Sequence, residues 1–450
     1  MTLKTFEYQN KYTTNEILKS ELCITSDEDY KAFLDRLESY LKKQGLSNVL
    51  KFTKDGIETQ NYVGVIKYKN FQLDILPKLL SKENIEENDP MVIKNLIYMI
   101  SLTRKLDIKI TEHANINHCE NPFLEVLIRE FATSLFECLK RLTPRNYIRE
   151  EDNLNYLKGK LKFTENIRYN CANQAKFYCE YDEFSENNKL NQLFLFVTKC
   201  LFNISRSSEN KKTLSFIMNY FCDLPFIRYD KYKAEKIILT RNQQLFSYPF
   251  KIAKMFLENI SVDISKNSIE NITLLWDMNL LFEEFVYEII KQHADGYTTH
   301  YQKNKKLLRN ADNLKEYGNT FVDIYLQKND KYENEKISKI ILDTKYKINS
   351  GGNSEFLNSD IYQICTYCLL HNSKKAILFY PADLDFKSHE KTKNNKYFVV
   401  PIIDKFELNS DNSNIYIHRI MLQLHQDLSK ITEHIGEFTK ILNDITHVLN

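Results

Sequence analysis

Glycine and proline are scarce, at 9 and 8 of 450 residues, which excludes a long flexible linker. No run reaches about 18 consecutive apolar residues, so no membrane-spanning helix is expected. The opening MTLKTFEYQNKYTTNE has no apolar core of the kind a secretory signal carries, so none is expected. Net charge is only +2, whereas a protein that coats nucleic acid through a general basic field carries more. A local basic groove beside an acidic site averages to the same total. A DNA enzyme therefore stays open, with tight binding expected to need a partner. The nine cysteines are odd in number and scattered, as in a reduced, cytoplasmic protein with buried thiols. There is no G-x-x-x-x-G-K-[ST]; Gly351-Gly352 has no Lys-Ser/Thr after it, so no nucleotide is expected on this chain.

Hydrophobic residues at 43% and charged residues at 27% fit an ordinary globular core. The length suggests about two to four domains. Residues 1–88 read as a small mixed module, with a helix over Asp27–Lys42 and strands at 62–69 and 71–79 around a turn at Asn70. The polar run SKENIEENDP (81–90) marks the first boundary. Residues 89–270 read as mainly helical, with apolar residues at helical spacing over 91–106, 122–142, 189–205 and around 245–260. Gly159 stands in a strand-like context. Over 271–450 a helix (274–293) precedes a polar, basic segment, strands at 320–327 and 336–348, a helix at 359–371 and a strand at 375–381. Strand-like runs at 397–403 and 414–422 and a terminal helix over about 424–448 close the chain. The class is mixed α/β.

Asp323 falls in the first of the two paired-looking strands, Asp343 and Lys345 in the second. Residues i and i+2 of a strand share a face, so Asp343 and Lys345 project together, and Asp323 lies beside them if the strands pair. Two carboxylates suit Mg²⁺, with Mn²⁺ as the alternative. The lysine would position or deprotonate a water and stabilise a developing oxyanion. Asp-x-Lys also arises in ordinary hairpins as a salt bridge. Two details favour a site: Asp343 interrupts the apolar run ISKIIL and Asp323 follows Phe321 and Val322. A carboxylate there costs several kcal/mol unless liganded or paired.

The blocks MNLLFEEFVYE (278–288), VDIYL (322–326), IILDTKYK (340–347), DIYQICTY (360–367) and ILFYP (377–381) resemble, in order, those of the McrC family. These are the nuclease partners in McrBC-type restriction systems, within the PD-(D/E)XK superfamily. LKGKLKFTENIR (157–168), YDEFSENNKLNQLF (181–194) and YVGVIKYKNFQLDILPK (62–78) resemble its upstream blocks. Val322 stands where the superfamily pattern often has Pro.

The resemblance implies a restriction-endonuclease-like core over 271–450 with Asp323, Asp343 and Lys345 catalytic. It implies cutting of double-stranded, methylated DNA. It also implies a separate hexameric McrB-like AAA+ GTPase, docked on residues before about 270. Gln363 and Tyr367, four apart on one helical face, match the family's Tyr-Gln helix and either support the site or simply pack. Glu283 or Glu288 would add a carboxylate, or else line a solvated helix face. Lys303, Lys305, Lys306 and Arg309, and the later group Lys387, Lys391, Lys393 and Lys396, are candidates for DNA phosphate contact or plain solvated charge. His113, His118 and Cys119 lack a second ligand pair, and Cys365-x-x-Cys368 on a helix reads as packing. Two rivals remain: an autonomous nuclease of repair or recombination, and a non-catalytic adaptor that activates the motor.

Overall fold

The computed structural model describes residues 2–8, 13–78, 90–104, 106, 122–173, 175–265, 268–294, 296–328, 339–347, 354–381, 399–407, 415–422 and 428. In chain order it begins β1 (Thr2–Phe6), α1 (Asn15–Leu22), α2 (Asp27–Lys43), β2 (Leu50–Phe52), β3 (Ile57–Thr59), β4 (Tyr62–Tyr68), β5 (Phe71–Leu76), α3 (Pro90–Arg104) and α4 (Pro122–Arg141). It continues β6 (Asn146–Leu154), β7 (Lys160–Leu161), α5 (Phe163–Asn170), β8 (Phe177–Ser185), α6 (Lys189–Ile204), α7 (Ser208–Tyr220), α8 (Lys231–Glu235), α9 (Ser247–Asn259), β9 (Ile260–Ser265) and β10 (Ser268–Asp277). The last third is α10 (Met278–His293), β11 (Tyr297–Arg309), β12 (Glu316–Lys328), β13 (Lys339–Thr344), α11 (Ser354–His371), β14 (Lys375–Pro381), β15 (Val399–Glu407) and β16 (Tyr416–Leu422). The fold is mixed α/β. Among the described residues no helix is long and apolar enough to cross a membrane.

Two compact units divide the chain. One takes the described residues of Met1–Gly64, Leu73–His118 and Trp276–Asn450, the other those of Val65–Gln72 and Cys119–Leu275. In the first unit a six-stranded sheet runs β11-β12-β13-β14-β16-β15. β13 pairs antiparallel with β12 and parallel with β14, so both its edges are satisfied. That position explains its sequence: KIILDT reads as a near-continuous apolar run because both faces of the strand are covered. α10 is set by Asp277, whose carboxylate accepts from the backbone N–H groups of Asn279 (2.9 Å) and Leu280 (3.3 Å). Its Leu281, Phe282, Phe285, Val286, Ile289 and Ile290 are buried. Each such side chain contributes about 1.5–3 kcal/mol of transfer free energy. Tyr98 of α3 meets Phe285 edge to face at 6.1 Å. A second apolar cluster joins Val322, Tyr325, Ile341, Ile364, Cys368 and Leu378 between α11 and the sheet.

The second unit is built on α4, α6, α7 and α9, with a three-stranded sheet ordered β6-β8-β7. Glu125 of α4 is buried there and accepts from Ser205 Oγ (2.8 Å), the Arg206 (2.5 Å) and Ser207 (3.3 Å) N–H groups and Asn210 Nδ2 (2.7 Å). One carboxylate thus closes the corner between α6 and α7. Gly159 enters β7 at φ +68, where an added Cβ would fall 2.5 Å from the Glu180 carbonyl, so a side chain there would push β7 off β8.

Several sequence expectations change. The mainly helical region contains β6 to β10 as well as helices, because β6 (NYIREEDNL) is largely exposed and shows no apolar alternation. The polar, basic segment is strand β11, exposed for much of its length and recognisable only by its ladder to β12. The helix expected from 274 begins at Met278, since Ser268–Asp277 is strand and Asp277 is the cap. The core order is therefore helix–strand–strand–strand–helix–strand. Apart from Leu428, the terminal helix expected over about 424–448 lies outside the described residues, as do the 81–89 boundary, His113, His118, Cys119, Gly351, Gly352 and the lysines at 387, 391, 393 and 396.

Candidate active site

β12 and β13 pair in a register that sets Ile324 against Leu342. One step further out stand Asp323 and Asp343. Asp343 is fully buried, and Lys345 Nζ lies 2.6 Å from its Oδ2. The contact is an ion pair outside hydrogen-bond geometry, and both Asp343 oxygens lack a hydrogen-bond partner. Asp323 Oδ2 accepts from Thr344 N (2.7 Å) and Thr344 Oγ1 (2.8 Å), so the residue between Asp343 and Lys345 fixes the opposing carboxylate. The catalytic triplet expected from sequence is brought together.

Burial, and next the Asp323 charge, push the Asp343 carboxyl up to about 7 against the pull of Lys345. Asp323 is also raised, chiefly by burial. On Lys345 burial works downward, but the Asp343 and Asp323 charges outweigh it and hold the ammonium above its usual range. Both carboxyls are raised chiefly by burial, an environment in which nearby positive charge favours the ionised form.

α10 adds Glu283. Gln302 Nε2 donates to its Oε1 at 3.1 Å, and burial followed by the Asp323 charge raises it to about 7. Glu288 does not join it. Five residues along a helix is a turn of about 140° to another face, and there Glu288 pairs with Lys291 at 3.6 Å. Gln302 has φ 47, and its ladder neighbours Tyr301 and Lys303 face Ile324 and Val322, which sets it across from Asp323. A non-glycine residue in that region is held there by its surroundings.

On α11, Gln363 Nε2 donates to Tyr367 Oη at 2.8 Å. Burial raises the Tyr367 hydroxyl, and the charges of Asp343 and Asp323 act on it too, which places it within the field of the site. Asp360 went unnoticed in the sequence. It is buried, accepts from Tyr380 Oη at 2.8 Å and pairs with Lys347 at 3.0 Å. Its spacing from Ile364 and Tyr367, four and seven residues back along a helix, was the available signal. Cys365 and Cys368 belong to the apolar cluster.

The β11 cations are engaged locally. Lys303 Nζ sits 3.6 Å from the Tyr325 ring centroid. Lys305 donates to the Leu370 carbonyl at the end of α11, and Lys306 to Asn319. Arg309 faces Glu316 across the ladder.

Among the described residues no three His, Cys, Asp or Glu side chains form a ready cation cage. The donor set still fits a hard divalent ion. Asp343 Oδ1 is a buried carboxylate oxygen without a hydrogen-bond donor, and Asp323 presents a second carboxylate on the neighbouring strand.

These features define a mixed α/β protein in which a buried Asp343, a half-buried Asp323 and Lys345 meet at two adjacent central strands of one sheet. The profile of the McrBC 5-methylcytosine restriction system component family matches residues 57–381, and the chain belongs to that family, the one its sequence blocks resemble. A chain of the refined half-complex from the tetradecameric assembly of Thermococcus gammatolerans McrB AAA+ hexamers with bound McrC is similar in fold. Its TM-score is 0.68 at 20% identity, over 99% of this chain and 100% of that one. A chain of the Thermococcus gammatolerans McrBC complex aligns over 65% of this chain and 88% of that one, with TM-score 0.45 and 23% identity. No curated protein sequence matches the chain.

Proposed function

We propose that this restriction-system component is a Mg²⁺-dependent endonuclease subunit that hydrolyses DNA phosphodiester bonds. The observation that carries this is the Asp323–Asp343–Lys345 grouping, a buried and a half-buried carboxylate on paired strands with the Lys345 ammonium 2.6 Å from Asp343 Oδ2. Asp323 and Asp343 would hold the ion, with Glu283 as a further carboxylate. Mg²⁺ or Mn²⁺ bound there supplies Lewis acidity and charge against the phosphate oxygens. Lys345 orients the attacking water and places positive charge where the oxyanion develops. Tyr367, whose hydroxyl accepts from Gln363 and feels the charges of Asp343 and Asp323, would support the site. Lys303, Lys305, Lys306 and Arg309 lie on the strand beside Asp323, where phosphates flanking the cut would pass.

A separate McrB-like AAA+ GTPase would select methylated DNA and license cutting in the cytoplasm. Residues 1–88 would supply an N-terminal module, 89–270 a motor-docking region and 271–450 a PD-(D/E)XK nuclease domain, the described residues of Met1–Gly64 and Leu73–His118 sharing one compact unit with those from Trp276 onward. Exposed Tyr147, Phe163, Ile167 and Phe184 in the middle region are apolar enough to support docking.

The test mixes the chain, its AAA+ partner, GTP, Mg²⁺ and methylated plasmid, with Asp343→Ala in parallel. Cutting that needs the partner and is lost in the variant is the expected result. Cutting without the partner would point to an autonomous nuclease. Stimulated GTP hydrolysis without any cutting by the wild type would point to an adaptor.

A further inference from the structure

Beyond Thr344 the catalytic strand leaves its ladder, yet Lys345 must be held to a fraction of an ångström. Two backbone bonds remain at this point: Lys345 N–H to the Phe379 carbonyl and Lys347 N–H to the Lys345 carbonyl, each 2.8 Å. The side chains of 345, 346 and 347 diverge. Lys345 goes to Asp343 and Lys347 to Asp360, while Tyr346 turns into the core with its ring 5.8 Å from that of Phe282.

Tyr346 is gripped from the far end of the sequence. Lys78 Nζ donates to its backbone carbonyl at 2.7 Å and lies 4.0 Å from its ring centroid. Its hydroxyl donates to Glu7 Oε2 at 3.3 Å, and the Lys78 N–H donates to the same oxygen at 3.0 Å. Glu7 N–H in turn donates to the Leu76 carbonyl, so the two gripping residues extend from the neighbouring strands β1 and β5. Glu7 is 1% exposed and Tyr346 3%. A buried carboxyl beside a half-buried amine is costly compared with an apolar pair of equal volume. An apolar pair would fill the space but would not hold a carbonyl in place.

We propose that Glu7 and Lys78 form a clamp on Tyr346 that positions Lys345 for cleavage, so that the N-terminal strands set the geometry of the catalytic strand. The proposal rests on the nuclease assignment above. Glu7 and Lys78 are positioning residues, acting through the backbone of Tyr346.

The test uses the full chain with its AAA+ partner and compares Lys78→Met, Lys78→Arg and Tyr346→Phe with wild type. Lys78→Met is expected to cut roughly ten- to a hundredfold more slowly at saturating DNA and Mg²⁺. Stimulation of the partner's GTP hydrolysis should stay within about twofold of wild type. Lys78→Arg should recover most of the rate, and Tyr346→Phe, which keeps the gripped carbonyl, should lose less than Lys78→Met. Lys345 reactivity towards acetic anhydride, followed by peptide mass spectrometry, gives a readout independent of cutting. It should rise several-fold in Lys78→Met while exposed Lys51 is unchanged. Wild-type cutting by Lys78→Met with unchanged Lys345 labelling would overturn the clamp. So would a parallel loss of cutting, GTP stimulation and thermal stability, which marks a packing role only. If wild type itself does not cut, the nuclease assignment fails, and the labelling result alone still decides whether Lys78 places Lys345.

Discussion

Lys345 Nζ lies 2.6 Å from Asp343 Oδ2, while Asp343 Oδ1 is buried without a hydrogen-bond donor. One ammonium therefore serves a site with two carboxylates, and Asp343 is pushed up to about 7, by burial first and by Asp323 next. The sign of the stability effect follows. Below about pH 4 the carboxyl is protonated in folded and unfolded chains alike. Between there and about 7 the unfolded chain has released the proton and the folded chain retains it, so raising the pH favours unfolding. Glu283, also raised to about 7 with burial the largest cause, adds in the same direction. The melting temperature in EDTA should fall as pH rises across this window. Mg²⁺, which binds the ionised pair, should raise it more at about pH 7.5 than at about pH 5. Melting that ignores Mg²⁺ at both pH values would count against a cation site here.

Asp343→Asn should separate stability from activity. The amide removes a buried acid that repels Asp323 and keeps the volume. Metal-free protein is expected to gain about 1 kcal/mol, or roughly 1–2 °C in melting temperature, and to lose the Mg²⁺ response. Cutting should drop to background. A variant that cuts would remove Asp343 from the chemistry, whatever its stability.

The site was more legible in the sequence than the fold around it, for a physical reason. Asp343 stood out because a carboxylate inside ISKIIL has no apolar explanation. Asp323 stood out beside Phe321 and Val322. Strands β6 and β11 did not, since a strand exposed on both sides has no two-residue apolar period to show. Glu7 and Lys78 were invisible for another reason. Their partner Tyr346 lies hundreds of residues away, and no local pattern encodes such a contact. Glu283 and Glu288 looked equivalent until the helix face was known. Asp360 was masked by sitting in a block whose Gln and Tyr drew the attention.

Glu125 makes a prediction confined to the second unit. Its carboxylate accepts from two backbone N–H groups, a hydroxyl and an amide at the α6–α7 corner. Glu125→Ala leaves those donors buried without an acceptor, which should cost about 3–5 kcal/mol in denaturant unfolding. Glu125→Gln keeps one acceptor oxygen and should cost roughly half as much. Equal, small losses in both variants would mean that water reaches the corner and replaces the carboxylate.

Gln302 tests whether backbone strain at the site serves the chemistry. It holds φ 47 across from Asp323 while its amide donates to Glu283. An L-residue there forgoes about 1–2 kcal/mol that glycine would not. Gln302→Gly should therefore stabilise the fold by up to about 1 kcal/mol, less than the full strain because glycine also loosens the unfolded chain. The same change frees Glu283, so cutting should slow by about tenfold and need more Mg²⁺ for half-maximal rate. Gln302→Asn, which tolerates the left-handed region but is one methylene shorter, should keep the backbone and still release Glu283. If both variants cut like wild type at limiting Mg²⁺, Glu283 plays no part in holding the ion, and the strain at Gln302 belongs to the β11–β12 ladder alone.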